Sequence, residues 1–166
     1  EIPSISWHQS MEDYGCDKPD LRIPLKLVEI SDIVINEEFK VFSGPAKDQN
    51  SRVVALKIPE GNKLTRGQID EYTKFVGKLG AQGLAYIKVN DVKDIENGLQ
   101  SPILKFLHKD TIENLIKTLE LKTDDLLFFG AGSKNVVNLS MSSLIKKIGK
   151  DLNLYINEWA PCWIVD

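Results

Sequence analysis

The sequence predicts an α+β fold, a two-layer sandwich with a mainly antiparallel sheet and amphipathic helices on one face. Three observations predict it. Short β-branched or aromatic runs bounded by Gly, Pro, Asn or Asp arrive in pairs rather than singly. Three longer stretches carry apolar residues at the helical period. Each of those stretches is apolar on one side only, so all three can cover a single sheet face.

Five strands are expected, at 39–42, 53–58, 84–89, 103–107 and 126–129. The turn-rich link Ser43-Gly44-Pro45-Ala46-Lys47-Asp48-Gln49-Asn50 should join the first two as a hairpin-like antiparallel pair. The first helix opens at Thr65, which has capping-box spacing to Gln68. It continues with Ile69, Tyr72, Val76 and Leu79 on one face and stops at Gly80. Asp110 should cap the second, with Glu113 at the third position and Ile112, Leu115, Ile116 and Leu119 as its stripe. Ser133 opens the third, whose stripe is Val137, Met141, Leu144, Ile145 and Ile148, ending near Gly149. Strands arriving in pairs exclude a simple doubly wound βα repeat.

With 42% hydrophobic and 27% charged residues, the 166-residue chain has the composition of a globular protein that can bury one sizeable core. Its formal net charge of −3 repels polyanions at long range, so any contact with RNA needs a local patch. No apolar run is long enough to span a bilayer and no leader pattern opens the chain, so a cytoplasmic location is the default expectation. Cys16 and Cys162 have no partners at metal-like spacing and are expected as reduced thiols, and His8 and His108 lack a ligand cluster, so no metal site is expected. The chain starts with Glu rather than Met and finishes in the apolar stretch Trp159-Ala160-Pro161-Cys162-Trp163-Ile164-Val165-Asp166, which suggests a piece of a larger protein.

Catalytic constellations are missing: there is no phosphate loop, nucleophile elbow or zinc-protease motif. Phe129-Gly130-Ala131-Gly132-Ser133 looks like a glycine-rich turn entering a helix, where an anion could sit, although such turns commonly just connect a strand to a helix. Tyr72 and Phe75 share a helix with Ile69 and Val76 and are expected in the core, as are Trp159 and Trp163. The pairs Asp70-Glu71 and Asp124-Asp125 are expected in solvent. Asp17, Lys18, Asp20 and Arg22 surround Pro19; they read either as the edge of an active site or as a rigid connector whose charges pair with one another.

Four expected strands carry a lysine amid apolar residues, namely Lys40, Lys57, Lys88 and Lys105. Strand alternation would put them on one outer face, with Tyr86 beside Lys88. Lysines with an aromatic on a sheet can hold RNA backbone and base together. The competing reading is that they solvate an exposed sheet.

The segment Tyr14-Gly15-Cys16-Asp17-Lys18-Pro19-Asp20-Leu21-Arg22 resembles the Tyr-Gly-Ser-Asp-Lys-Pro-Asp-Leu-Arg segment of bacterial-type aspartyl-tRNA synthetases, with Cys16 in place of Ser. The resemblance continues through 39–45, 53–59, Leu64-Thr65-Arg66, Gln68-Ile69-Asp70-Glu71-Tyr72, 83–89, Ser101-Pro102, Phe128-Phe129-Gly130 and Trp159-Ala160-Pro161, which covers nearly the whole chain in order. It implies a class II aspartate-tRNA ligase cut around its inserted GAD domain. Residues 1–36 would leave the catalytic domain, 37–150 would be the insertion, and 151–166 would rejoin. The GAD domain also occurs in the B subunit of the glutamyl/aspartyl-tRNA amidotransferase, which would explain the middle of the chain only.

The resemblance further implies that the parent enzyme uses ATP and magnesium, binds tRNA and is a homodimer through parts outside this chain. The arginines that clamp phosphate lie in flanking motifs absent here, so no catalytic, cofactor-binding or metal residue carries over. The domain itself is expected either to help position the tRNA acceptor end or to brace the catalytic domain.

Overall fold

A computed structural model describes residues 1–166. At its centre two long strands pair antiparallel, β3 (Ser51–Ile58) and β6 (Leu126–Ser133), in register from Ser51 opposite Ser133 to Ile58 opposite Leu126. β2 (Leu27–Glu29) extends the sheet beside β3, and β4 (Tyr86–Val89) with β5 (Leu99–Gln100) extends it beside β6. Every neighbouring pair in this five-stranded sheet is antiparallel, in the order β2-β3-β6-β4-β5. The α+β class and the antiparallel sheet agree with the sequence.

The layering does not. Val54, Leu56, Ile58, Leu126 and Phe128 pack with α4 (Arg66–Lys78) and α6 (Lys134–Asp151) on one face. Val53, Ala55, Leu127 and Phe129 pack on the other with α2 (Ser31–Val34), α3 (Lys40–Lys47) and α5 (Lys109–Thr118). The sheet is therefore sandwiched between two helical layers instead of lying open on one side. The cause is visible in β3 and β6, which carry unbroken apolar runs, Val53-Val54-Ala55-Leu56 and Leu126-Leu127-Phe128-Phe129, all buried. Alternation marks a half-wet sheet, while continuous runs mark one covered twice.

Two expected strands are absent. Residues 39–42 enter α3 because Phe39, Phe42 and Ala46 fall three to four residues apart and face the same core, so the expected hairpin pair becomes a helix followed by a strand. Residues 103–107 form a 3₁₀ turn, Leu104–Phe106, with Ile103 and Leu107 turned inward. The capping box of α4 forms as expected: Gln68 N–H donates to Thr65 Oγ1 at 3.2 Å, and Thr65 N–H donates to Gln68 Oε1 at 2.8 Å. Ser133 caps α6, and its five-residue stripe is buried. Asp110 does not cap α5; His108 holds that position without a side-chain cap of its own. Asp125, expected in solvent, is buried and accepts from Lys122 N–H at 2.8 Å.

Near the ends of the chain, β1 (Ser4–Ser6) and β7 (Trp163–Val165) form a separate two-stranded parallel sheet, followed after β1 by α1 (Trp7–Tyr14). Trp159 and Trp163, expected in the core, are 82% and 62% exposed. Packing also runs across the expected boundary at residue 37, because Ile23, Leu25 and Leu27 enter one core and Ile30 and Val34 the other. No helix is long and apolar enough to cross a membrane.

Candidate nucleic-acid interface

The single lysine surface expected from the sequence does not form. Lys57 sits opposite Leu127, on the α5 side of the sheet, and its Nζ donates to the Leu119 carbonyl at 3.0 Å. Lys88 sits opposite Leu126 on the other side and donates to the Leu64 carbonyl at 2.6 Å. Tyr86, opposite Phe128, is half-buried against the α4 and α6 core. Helices cover both faces, so these lysines satisfy buried carbonyls rather than forming a shared patch.

Lys40 and Lys105 do share one site. Neither is on a strand: one opens α3 and the other lies in the 3₁₀ turn, and both line an open cleft of about 520 Å³ with Phe39, Phe106 and His108. Within it Phe39 and Phe106 stack almost parallel, with centroids 5.3 Å apart and planes 9° apart. Phe39 is held edge-on by Phe42 at 4.9 Å, and Phe42 meets Phe129 at a tilt with centroids 5.0 Å apart, so a column of rings runs from the cleft into the core. The Lys105 ammonium stands 5.1 Å from the Phe106 centroid.

Behind the cleft lies Glu37, whose side chain is nearly fully buried. It accepts from the His108 backbone N–H at 3.3 Å, from His108 Nδ1 at 2.8 Å and from the Thr111 hydroxyl. The carboxylate thus supplies from outside the helix what the N-terminus of α5 lacks in its own cap. With Nδ1 turned to the Glu37 carboxylate, the nitrogen that the exposed His108 ring leaves free is Nε2. Sequence reasoning missed Phe39, Phe106, His108 and Glu37. A signal was present in the mirror-image dipeptides Phe39-Lys40 and Lys105-Phe106, each pairing a flat ring with a cation.

Of the four charged residues around Pro19, Asp20 and Arg22 pair with each other. Arg22 donates twice to Asp20, from Nε at 2.8 Å and from a terminal nitrogen at 2.6 Å, and this hydrogen bonding holds the Asp20 carboxyl below the usual carboxylate range. The Arg22 guanidinium also lies 4.7 Å from the centre of the Tyr155 ring, and its carbonyl accepts from Ile156 N–H at 2.8 Å. A second tie is Arg52, buried, which donates to the Met11 and Glu12 carbonyls at the end of α1 (3.2 and 3.1 Å) and to Asn138 Oδ1 on α6 (2.9 Å). Glu29 lies 3.5 Å from it, its pKa raised because burial outweighs the arginine.

The glycine-rich stretch does not form an open turn. The stretch 129–133 is the end of β6, where a Cβ on Gly130 would meet Met141 Cγ at 2.7 Å, and the Lys134 N–H beyond it donates to the Asn50 carbonyl. Gly130 serves close helix-on-strand packing rather than an anion. No group of three or more His, Cys, Asp or Glu side chains comes together, and both cysteines are free. The structure thus presents a doubly covered antiparallel sheet with a lysine-and-phenylalanine cleft at its margin. Residues 42–141, from within α3 to the middle of α6, match the GAD domain, an associated domain of class II tRNA synthetases that also occurs in amidotransferase B-type proteins; this chain belongs to the GAD domain family.

Proposed function

We propose that this chain is the GAD-bearing portion of an aspartate-tRNA ligase, and that the domain is a non-catalytic appendage which helps position the acceptor end of the tRNA. What carries the reading is the meeting of the two flanks outside the GAD match. β1 pairs with β7, Ser4 opposite Trp163, and Arg22 grips Tyr155 and Ile156. A domain inserted into a host needs entry and exit side by side, and both flanks here carry the synthetase-like segments, Asp17 to Arg22 and Trp159-Ala160-Pro161. An amidotransferase subunit would leave those flanks unexplained.

The ATP, the magnesium and the cytoplasmic, homodimeric state of the parent belong to this proposal as properties of parts beyond these residues. The test is aspartate-dependent exchange of pyrophosphate into ATP. The full-length enzyme encoded by the gene should support it and the 166-residue chain should not. Exchange that is driven by another amino acid, or that the isolated chain performs, would overturn the reading.

A bracing role has its own support in Lys57 and Lys88, both committed to internal carbonyls. The two roles separate in the full-length enzyme. Positioning expects Lys40→Glu with Lys105→Glu to raise the KM for tRNA in a salt-dependent way, whereas bracing expects no such change.

A further inference from the structure

We propose that the Phe39–Phe106 cleft is a seat for one unstacked base of single-stranded RNA, with the base against the phenylalanine platform and the adjoining phosphates on Lys40 and Lys105. The inference rests on the reading that this domain meets tRNA, and it names the chemistry of that contact.

Phe106 is 47% exposed although Ile103 and Leu107, on either side of the same turn, are buried. Its ring is fixed without being hidden. Phe39 stacks behind it and is backed in turn by Phe42 and Phe129, so the platform is assembled before anything binds and little ordering is needed on contact. A planar, rigid, half-exposed ring is the element that single-strand binders present to a base, because every base offers a π-face.

The rim has the matching charge. Lys40 and Lys105 line the cleft, and neither Nζ has a hydrogen-bonded carboxylate or carbonyl partner, in contrast to Lys57 and Lys88. Glu38 is the one carboxylate that lines the cleft, against two ammonium groups, and Glu37 behind it is taken up by His108 and Thr111. Because Glu37 holds Nδ1, the His108 ring presents Nε2 as a fixed polar edge beside the platform. A protein partner would call for a wider apolar surface, and here the apolar lining is Phe39, Phe106 and Leu107 between the two cations.

The experiment uses the 166-residue chain and a fluorescein-labelled oligoadenylate about six nucleotides long, read by polarisation against salt. Inorganic polyphosphate and an abasic ribose-phosphate oligomer serve as charge-only competitors. Binding should weaken with salt at a slope of about −1.4, as for two neutralised phosphates. Phe106→Ala should weaken the oligoadenylate about tenfold while leaving polyphosphate unaffected, and Phe106→Tyr should retain affinity. Lys40→Glu with Lys105→Glu should lose both. Circular dichroism of each variant checks the fold.

Equal binding of oligoadenylate and abasic oligomer, or a Phe106→Ala variant that binds oligoadenylate like the parent chain, overturns the proposal. So does displacement by an apolar peptide but not by oligoadenylate, which would make the cleft a protein site. If the full-length enzyme charges aspartate yet the cleft ignores the oligomer, only this inference falls. If the cleft binds it and aspartate is not activated, the ligase reading falls instead.

Discussion

Gly130 shows how one missing atom sets the distance between two layers. Its absent Cβ is replaced by Met141 from α6, with Val54 of β3 also near at 3.2 Å. Gly130→Ala should therefore cost about 1–3 kcal/mol through overpacking. The cost should shrink when Met141 is first shortened to Ala, as read by urea unfolding of the four members of the cycle. An identical cost in both backgrounds would mean that the clash is not with Met141.

At the same scale Asp20 owes its lowered pKa to Arg22. A carboxyl depressed in the folded state contributes stability above its unfolded pKa and loses it as pH falls through the folded value, so the connector should loosen only on the acid side. Carbon-detected NMR titration should find Asp20 titrating below the ordinary carboxylate range, and returning to it in Arg22→Gln. An unmoved titration in that variant would remove Arg22 as the cause.

Among the elements, α4 and α6 were legible because each carries a cap residue, a long stripe and a stop within its own sequence. α3 was not. Its apolar residues are few, Pro45 lies inside it, and its helical state is decided by Phe39, Phe42 and Ala46 reaching a core built from distant strands. α5 was legible as a helix but not in its cap, since the group that satisfies its start comes from Glu37, far away in sequence. Glu37→Ala should thus destabilise the fold by about 1–3 kcal/mol, leaving a buried N–H and hydroxyl unpartnered. Asp110→Ala should cost under about 1 kcal/mol, the share of a first-turn charge. Thermal unfolding at neutral pH compares the two, and the reverse order would restore Asp110 as the cap.

Taken whole, the molecule hides its apolar residues on both sides of one sheet yet leaves Trp7, Trp159 and Trp163 exposed, and these are all three of its tryptophans. The contiguous apolar runs of β3 and β6 announced the double covering. Lys57 and Lys88 do not mark an open face, because their long stems let them reach carbonyls at the margin of a covered one. The cleft was out of reach for another reason: its two halves, 38–40 and 105–108, are brought together only by the fold. In the isolated chain, tryptophan emission should be that of solvated indole and fully open to acrylamide. In the full-length enzyme the same three should be shielded if another domain covers β1 and β7, and unchanged quenching would show that face to be free.

The pairing of β1 with β7 joins residues from opposite ends of the chain through only three positions per strand. Closing so long a loop costs entropy that such a short ladder returns poorly, so it should form after the sandwich is already folded and open long before the sandwich melts. Amide hydrogen exchange is expected to report this as a gradient, fast at Ile5 and Ile164 and slowest at the β3–β6 ladder, where exchange awaits global unfolding. Uniform protection would mean that the ends are locked to the body. With the gradient, the body is a rigid load on a zipper of low stability, and the polypeptide can release both of its ends together without disturbing a single residue of the core.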